Sequence, residues 1–213
     1  PGSRVAINIS GVERDDIQRG DIVTLPGLMQ ATTLIDVEFR HLPDAGRPLK
    51  HDASVKFYSG SAETQAVVRV LGETALPPGE NGWLQLVLEK PLALAGGDRF
   101  ILRTPSPGAT IGGGKILDAH PEHRWRRFKS EVIERFTRLA SGTPEELVLD
   151  RLGKHVALLP DALQTATGLD REAMDVLVEK LSQQGALVSL PEGWIMATQQ
   201  WQRVESRIME ELA

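Results

Sequence analysis

The chain has 213 residues and a net charge of −5, from 24 Lys and Arg against 29 Asp and Glu. The length suits two small domains or one large one, and the acidic balance argues against broad phosphate attraction, so any nucleic-acid contact has to be local. Without Cys there are no disulfides, thiol nucleophile or Cys-based metal site; without a signal peptide or an apolar run near the roughly 18 residues of a membrane span, a soluble cytoplasmic protein with no membrane partner is expected.

The chain starts at Pro1 rather than Met, and Val5-Ala6-Ile7-Asn8-Ile9 already reads as a strand, so it is expected to begin in the middle of a domain. Gly11 to Ile17 reads as a short turn. Arg19-Gly20-Asp21-Ile22-Val23 opens another strand, and Pro26-Gly27 punctuates the end. Residues 1–27 thus read as the last strands of one unit.

From Leu34 to Ala119 the dominant period is two. Leu34 to His41, Ala53 to Tyr58, Thr64 to Leu71, Trp83 to Lys90, Arg99 to Arg103 and Lys115 to Asp118 are separated by turn-rich stretches such as Pro77-Pro78-Gly79 and Gly96-Gly97. About six short strands at this spacing read as an all-β barrel or sandwich.

The period changes near residue 120, after a polar, basic linker at 120–126 holding His120, His123, Arg124 and Arg126. Phe128, Val132, Ile133, Phe136 and Leu139 recur at helical spacing. Thr143-Pro144-Glu145-Glu146 starts a second helix: Thr caps, Pro takes the first position and Glu146 can close a capping box. Pro160 to Ala166 suits a short helix ended by Gly168, and Asp170 caps another that runs through Met174, Leu177, Val178 and Leu181 to Gly185. Ala186 to Leu190 and Trp194 to Ala197 pair as a hairpin around Pro191-Glu192-Gly193. Three helices and a two-stranded wing is the winged-helix order, over residues 127–198, and residues 199–213 read as the start of a second such unit.

Two segments carry a resemblance. Thr110-Ile111-Gly112-Gly113-Gly114-Lys115-Ile116-Leu117-Asp118, with His120-Pro121 and the Arg-rich linker after it, closely resembles the barrel-to-linker junction of bacterial selenocysteine-specific elongation factors. Arg4 to Val12 with Arg19-Gly20-Asp21 resembles the end of the second domain in that family and in elongation factor Tu-like GTPases. Between them, Arg47 to His51 and Tyr58 to Glu63 sit where the family has similar words, although it often has His and Thr where this chain has Tyr58 and Ser61.

The resemblance implies a fold and a role. The fold is an elongation factor Tu-like β-barrel followed by a winged helix: residues 1–27 end domain II, residues 28–119 are domain III, and residues 127–198 are the first winged helix. The whole protein would be a GTPase, with GTP and magnesium as cofactors. It would deliver selenocysteinyl-tRNA to the ribosome at a UGA codon marked by an mRNA hairpin. This chain would supply the tRNA-facing barrel as a monomer working with its own GTPase domain, and the hairpin would be held by further C-terminal winged helices.

There is no GxxxxGK[ST]; Gly112-Gly113-Gly114-Lys115 lacks the spacing that wraps a phosphate and the following Ser or Thr for magnesium, so no nucleotide cofactor is expected here. The three glycines either form a bulge or corner that closes the barrel, or let an RNA backbone approach closely, as the family implies. Arg103, Ser106 and Thr110 are candidate tRNA contacts, since guanidinium and hydroxyl groups suit phosphate and the ribose 2′-OH; the bland alternative is a surface strand residue and a turn cap. Gly60, Ser61 and Glu63 join this candidate set, with Glu63 either accepting a ribose hydroxyl or positioning an Arg.

Arg124, Arg126 and Arg127 beside Trp125 form a basic patch suited to RNA, or else a solvated linker whose arginines pair with barrel carboxylates. The histidines lack the partners of a metal site, and no catalytic constellation emerges. The candidate recognition helix carries two cations, Arg171 and Lys180, against Glu172, Asp175 and Glu179. Residues 127–198 carry eight cations against eleven anions. That field opposes phosphate, so this winged helix reads as a spacer rather than a DNA-binding regulator. A purely structural connector is the remaining alternative.

Overall fold

The computed structural model describes residues 5–24, 29–153, 155–167 and 171–212, and the chain divides into two compact units, Pro1–Phe128 and Lys129–Ala213. In the first, the alternating strands close on themselves. β1 (Ala31–His41), β2 (Leu49–Lys50), β3 (Ser54–Ser59), β4 (Ala62–Val70), β5 (Ala75–Leu76), β6 (Asn81–Ala93), β7 (Arg99–Arg103) and β8 (Thr110–Asp118) follow in order. Six of them form a closed antiparallel barrel in the order β1-β6-β4-β3-β7-β8, while β2 and β5 pair in a small ladder of their own. The period-two pattern sends Ile35, Val37, Phe39, Val55, Phe57, Leu84, Leu86, Phe100, Leu102 and Ile116 inward, each 3% exposed or less. Burying a side chain of this kind contributes about 1.5–3 kcal/mol, and closure leaves no open sheet edge. Phe57 and Phe100 stack with ring centroids 5.5 Å apart in the centre.

All six barrel strands fall where the alternation puts them, but β8 begins at Thr110, five residues before the expected start at Lys115. The glycines are in the strand. Gly112 pairs with His41 and Leu102, and Gly114 with Phe39 and Phe100. A Cβ on Gly114 would lie 1.8 Å from the Glu38 carbonyl oxygen, and one on Gly112 would lie 2.3 Å from that of Arg40. β1 crowds these two positions, and β7 crowds Gly113, where a Cβ would lie 2.6 Å from the Phe100 carbonyl oxygen.

Residues 5–24 correct an expectation. They hold no strand, only a 3-10 turn at Arg14–Asp16, and Val5, Ile7 and Val23 are exposed. Their apolar alternation is that of a strand, but an extended segment needs a neighbour for its ladder, and none of the described residues provides one. Pro26-Gly27 lies outside the described residues.

The chain stays on the barrel well past β8. Asp36 of β1, Gln85 of β6 and Arg69 of β4 are register partners in one outward-facing row. The segment after β8 covers that row as a strap. Gln85 Nε2 donates to Asp36 Oδ1 (2.9 Å) and to the His123 carbonyl (3.1 Å), and Trp125 Nε1 donates to Asp36 Oδ2 (2.7 Å). The Trp125 amide donates to Gln85 Oε1 (3.2 Å), and Arg69 Nη2 to the Trp125 carbonyl (2.8 Å). Asp36 and Gln85 are thereby fully buried on the outside of a barrel. Phe128, expected to open a helix, instead has φ +61° and donates its amide to the Leu71 carbonyl (2.7 Å), so the strap holds the chain to the barrel through residue 128.

The second unit contains α1 (Ser130–Ser141), α2 (Pro144–Gly153), α3 (Pro160–Thr167), α4 (Arg171–Gln183), β9 (Leu187–Ser189), β10 (Ile195–Ala197) and α5 (Thr198–Leu212). The Thr143 hydroxyl accepts the Glu146 amide (3.3 Å), the N-cap bond the sequence predicts. α1 buries Val132, Phe136 and Leu139, and Gly142 ends it in the left-handed conformation at φ +68°. Val148 and Leu152 of α2, Leu163 of α3, and Met174, Leu177 and Leu181 of α4 form one core with Leu187 and Ile195. β9 and β10 pair antiparallel, and Leu158 bridges to Ile195. The predicted stop at Gly168 and cap at Asp170 lie outside the described residues.

Candidate nucleic-acid interface

On the barrel side away from the strap, cross-strand register gathers residues that are far apart in sequence. Lys56 of β3 lies opposite Arg103 of β7, and Arg103 lies opposite Thr110 of β8. One pleat along, Tyr58 faces Ile101, which faces Gly113. Beyond these, Arg99 faces Lys115, whose other neighbour is Glu38 of β1. Directly opposed like charges destabilise an exposed strand pair, and this face has two such pairs, Lys56–Arg103 and Arg99–Lys115. The net charge of −5 conceals this local basic face. The face is flat at Gly113, which pairs with Arg40 and Ile101 and adds no side chain between the cationic rows, whereas Gly112 and Gly114 face the core.

The β3–β4 hairpin borders this face. Gly60 takes φ +56° in its turn, with Ser61 exposed beside it. Tyr58 pairs with Glu63 across the hairpin. Glu63 Oε1 accepts from both Lys56 Nζ (3.0 Å) and the Tyr58 hydroxyl (2.9 Å). The Lys56 bond and then the Tyr58 bond hold the Glu63 carboxyl below its ordinary value, while the same bond from Lys56 to Glu63 raises the lysine. Glu63 therefore positions a Lys and a Tyr rather than an Arg. An open cleft of about 500 Å³ beside the hairpin is lined by these three residues together with Gly60, Ser61, Arg19 and Lys90.

Arg103 Nη2 donates to the Gly108 carbonyl, which keeps the guanidinium along its own loop at the edge of the face. In that loop the Thr104 hydroxyl accepts the Ala109 amide (3.1 Å), and Ser106, with a cis bond to Pro107, is exposed at the tip. Ser106 is not drawn into the Lys56–Arg103–Thr110 row.

The arginines of the strap are elsewhere. Their row runs over β1, β6 and β4, whereas the basic face is centred on β7, three strands away around the barrel. Arg127 Nε donates to the Val70 carbonyl (2.7 Å) and its Nη2 to the Glu73 carbonyl (2.8 Å), with the guanidinium 4.5 Å from the centre of the Phe128 ring. It binds barrel carbonyls, not barrel carboxylates, and fastens the strap. Arg124 and Arg126 are exposed. The two predicted groups therefore do not form one surface.

Sequence reading missed Lys56, Arg99 and Lys115. Each is an ordinary outward strand cation by itself, and only the pairing of β3, β7 and β8 brings them together. A signal was present: within each predicted strand, the polar alternates at Lys56, Tyr58, Arg99 and Arg103 mark one outward face. Among the described residues there is no group of His, Asp and Glu that could hold a metal ion, and no helix is long and apolar enough to cross a membrane.

Residues 36–123 match the family model of the selenocysteine-specific elongation factor β-barrel domain. The chain is also similar to the selenocysteine-specific elongation factor of Desulfomicrobium baculatum, at 33% identity over 182 residues. That alignment covers 84% of this chain and 28% of the relative, so the chain spans under a third of that relative's length. With a closed six-stranded barrel over the matched residues, residues 36–123 are a β-barrel domain of the selenocysteine-specific elongation factor family.

Proposed function

We propose that this chain presents a tRNA-facing barrel and the first winged helix of an mRNA-reaching arm, within a protein that carries selenocysteinyl-tRNA to the ribosome at UGA codons marked by an mRNA hairpin. The observation that carries the barrel role is the paired basic rows, Lys56–Arg103–Thr110 and Arg99–Lys115, flanking Gly112 to Gly114. Two opposed cation pairs are costly on a solvated sheet and favourable against a phosphate backbone. The glycine tract lets that backbone approach the strand closely. Arg103 offers a bidentate donor set and Thr110 a hydroxyl suited to phosphate or the 2′-OH.

The winged-helix reading rests on the order α2, α3, α4, β9, β10, with Leu158 bridging to the wing strand at Ile195. Its recognition-helix position, α4, carries more anions than cations, and Lys180 is engaged by Glu145 at 2.7 Å. The module therefore serves as a spacer, and further winged helices outside these residues hold the hairpin. GTP and magnesium act in the whole protein. The residues here do not fit a nucleotide: Gly112 to Gly114 lie inside β8, with their Cβ positions against neighbouring strands, and Lys115 continues the strand.

The test is titration of the 213-residue chain with selenocysteine tRNA, an ordinary elongator tRNA, the mRNA hairpin and duplex DNA at two salt concentrations. Selenocysteine tRNA is expected to bind best, and Arg103→Gln to reduce the slope of log K against log salt by about one. Preference for DNA, or no binding to any RNA, would overturn the proposal.

A further inference from the structure

We infer that the cleft beside the β3–β4 hairpin is a second RNA-backbone site: a phosphodiester enters between Arg19, Lys56 and Lys90, and Glu63 acts as an internal competitor that holds Lys56 until it does. The inference rests on the tRNA reading above and adds a site and a means of tuning it.

The cleft is built by close packing. A Cβ on Gly20 would lie 2.8 Å from Ala62 Cα, so only Gly lets the 19–20 turn press against the start of β4. That contact puts the Arg19 charge within electrostatic reach of Glu63. From the other side, the Lys90 amide donates to the Thr64 hydroxyl (3.1 Å), which fixes the end of β6 beside β4. Three cations from three segments thus line one cleft, with Tyr58 against it and two anions, Glu63 and Glu89.

One oxygen, Glu63 Oε1, takes both the lysine and the tyrosine hydroxyl. Lys56 is therefore already held by a carboxylate in the free protein, which at an exposed pair offsets its charge only in part, although register sets it opposite Arg103 on the basic face. A phosphate bound to Lys56 has to share it with a carboxylate of the same sign. Lys56 thereby links the face to the cleft, and Glu63 sets how strongly it can grip. An ammonium has three protons, so the exchange needs no rearrangement of the hairpin.

Glu63→Gln keeps a side-chain oxygen able to accept from Lys56 and Tyr58, now an amide oxygen in place of the carboxylate Oε1, and removes the charge. The 213-residue chain is titrated with selenocysteine tRNA across a salt series, as wild type, Glu63→Gln, Lys56→Met, the double variant and Lys90→Met. Glu63→Gln is expected to tighten binding roughly two- to fivefold, the range set by an exposed ion pair, and to steepen the salt slope. Lys56→Met is expected to flatten the slope by about 0.9 in the Glu63→Gln background and by less in wild type. Lys90→Met is expected to weaken binding in both backgrounds. If wild type binds in an Arg103-dependent way while Glu63→Gln binds no tighter and Lys90→Met no weaker, the cleft proposal falls and the tRNA-facing barrel stands. If wild type binds no RNA, both fall.

Discussion

Trp125→Phe keeps an aromatic ring over the barrel but removes the indole N–H that donates to Asp36 Oδ2 at 2.7 Å. Asp36 is fully buried, so water cannot replace that donor. A hydrogen bond to a charged group contributes about 1.5–3 kcal/mol, and the loss here is set near 2 kcal/mol because the Gln85 bond to Oδ1 remains. For a unit of this size that corresponds to a fall of about 8 °C in the barrel's melting temperature. Differential scanning calorimetry reads the shift, and amide hydrogen exchange at Trp125 and Phe128 reads the strap directly, since both amides are bonded to barrel acceptors. Asp36→Asn should reduce the cost of Trp125→Phe, because a neutral amide loses less when a donor leaves. A fall under about 0.5 kcal/mol with unchanged exchange at both amides would refute the argument that the strap is fixed by a desolvated carboxylate.

Two further outcomes follow from crowding and from charge. Gly114→Ala, whose Cβ overlaps the Glu38 carbonyl, should cost about 3 kcal/mol or more and abolish the cooperative barrel transition. Gly108→Ala, whose Cβ meets nothing nearer than Arg103 Nη2 at 3.7 Å, should stay within about 0.5 kcal/mol of wild type by the same calorimetry. His51 is lowered below 6.5 by burial first, then by the charges of Arg127 and Arg69, against an opposing pull from Asp52. The unfolded chain therefore takes up the proton first, so the stability is complete above about pH 6.5 and is lost as pH falls through the depressed folded value. Melting of wild type compared with His51→Gln between pH 7.5 and 5 (roughly the His titration range) should show wild type losing the larger amount on the acid side.

Local pattern accounts for most of the fold. Val55 and Phe57 alternate inward, Leu84 and Leu86 do the same, and Thr143 caps α2 as its position implies. The misses have a common cause in pairing over long sequence separations. Val5 to Ile9 has a strand's composition but no partner strand among the described residues. Phe128 fits a helical period, yet its amide is claimed by Leu71, 57 positions earlier. The Arg-rich run before it reads as an RNA contact because charge and an aromatic are adjacent in sequence. Its Trp125 binds Asp36 across 89 positions, and no local pattern announces that bond. The site divides in the same way. Arg103, Thr110, Glu63 and the glycines were legible as residue types, whereas Lys56 became part of the site only through the register of β3 against β7.

The opposed cation rows have a consequence for the energetics of the barrel itself. Lys56 against Arg103 and Arg99 against Lys115 oppose closure of the strands that carry them. An anionic polymer that settles on this face relieves the repulsion only in the folded chain, because the unfolded chain does not hold the four charges in register. Its binding energy is then also folding energy, worth about 2.7 kcal/mol when the ligand stands at a hundredfold excess over its dissociation constant. On this account the barrel alone is its less stable form, and occupancy of the face and integrity of the fold rise and fall together.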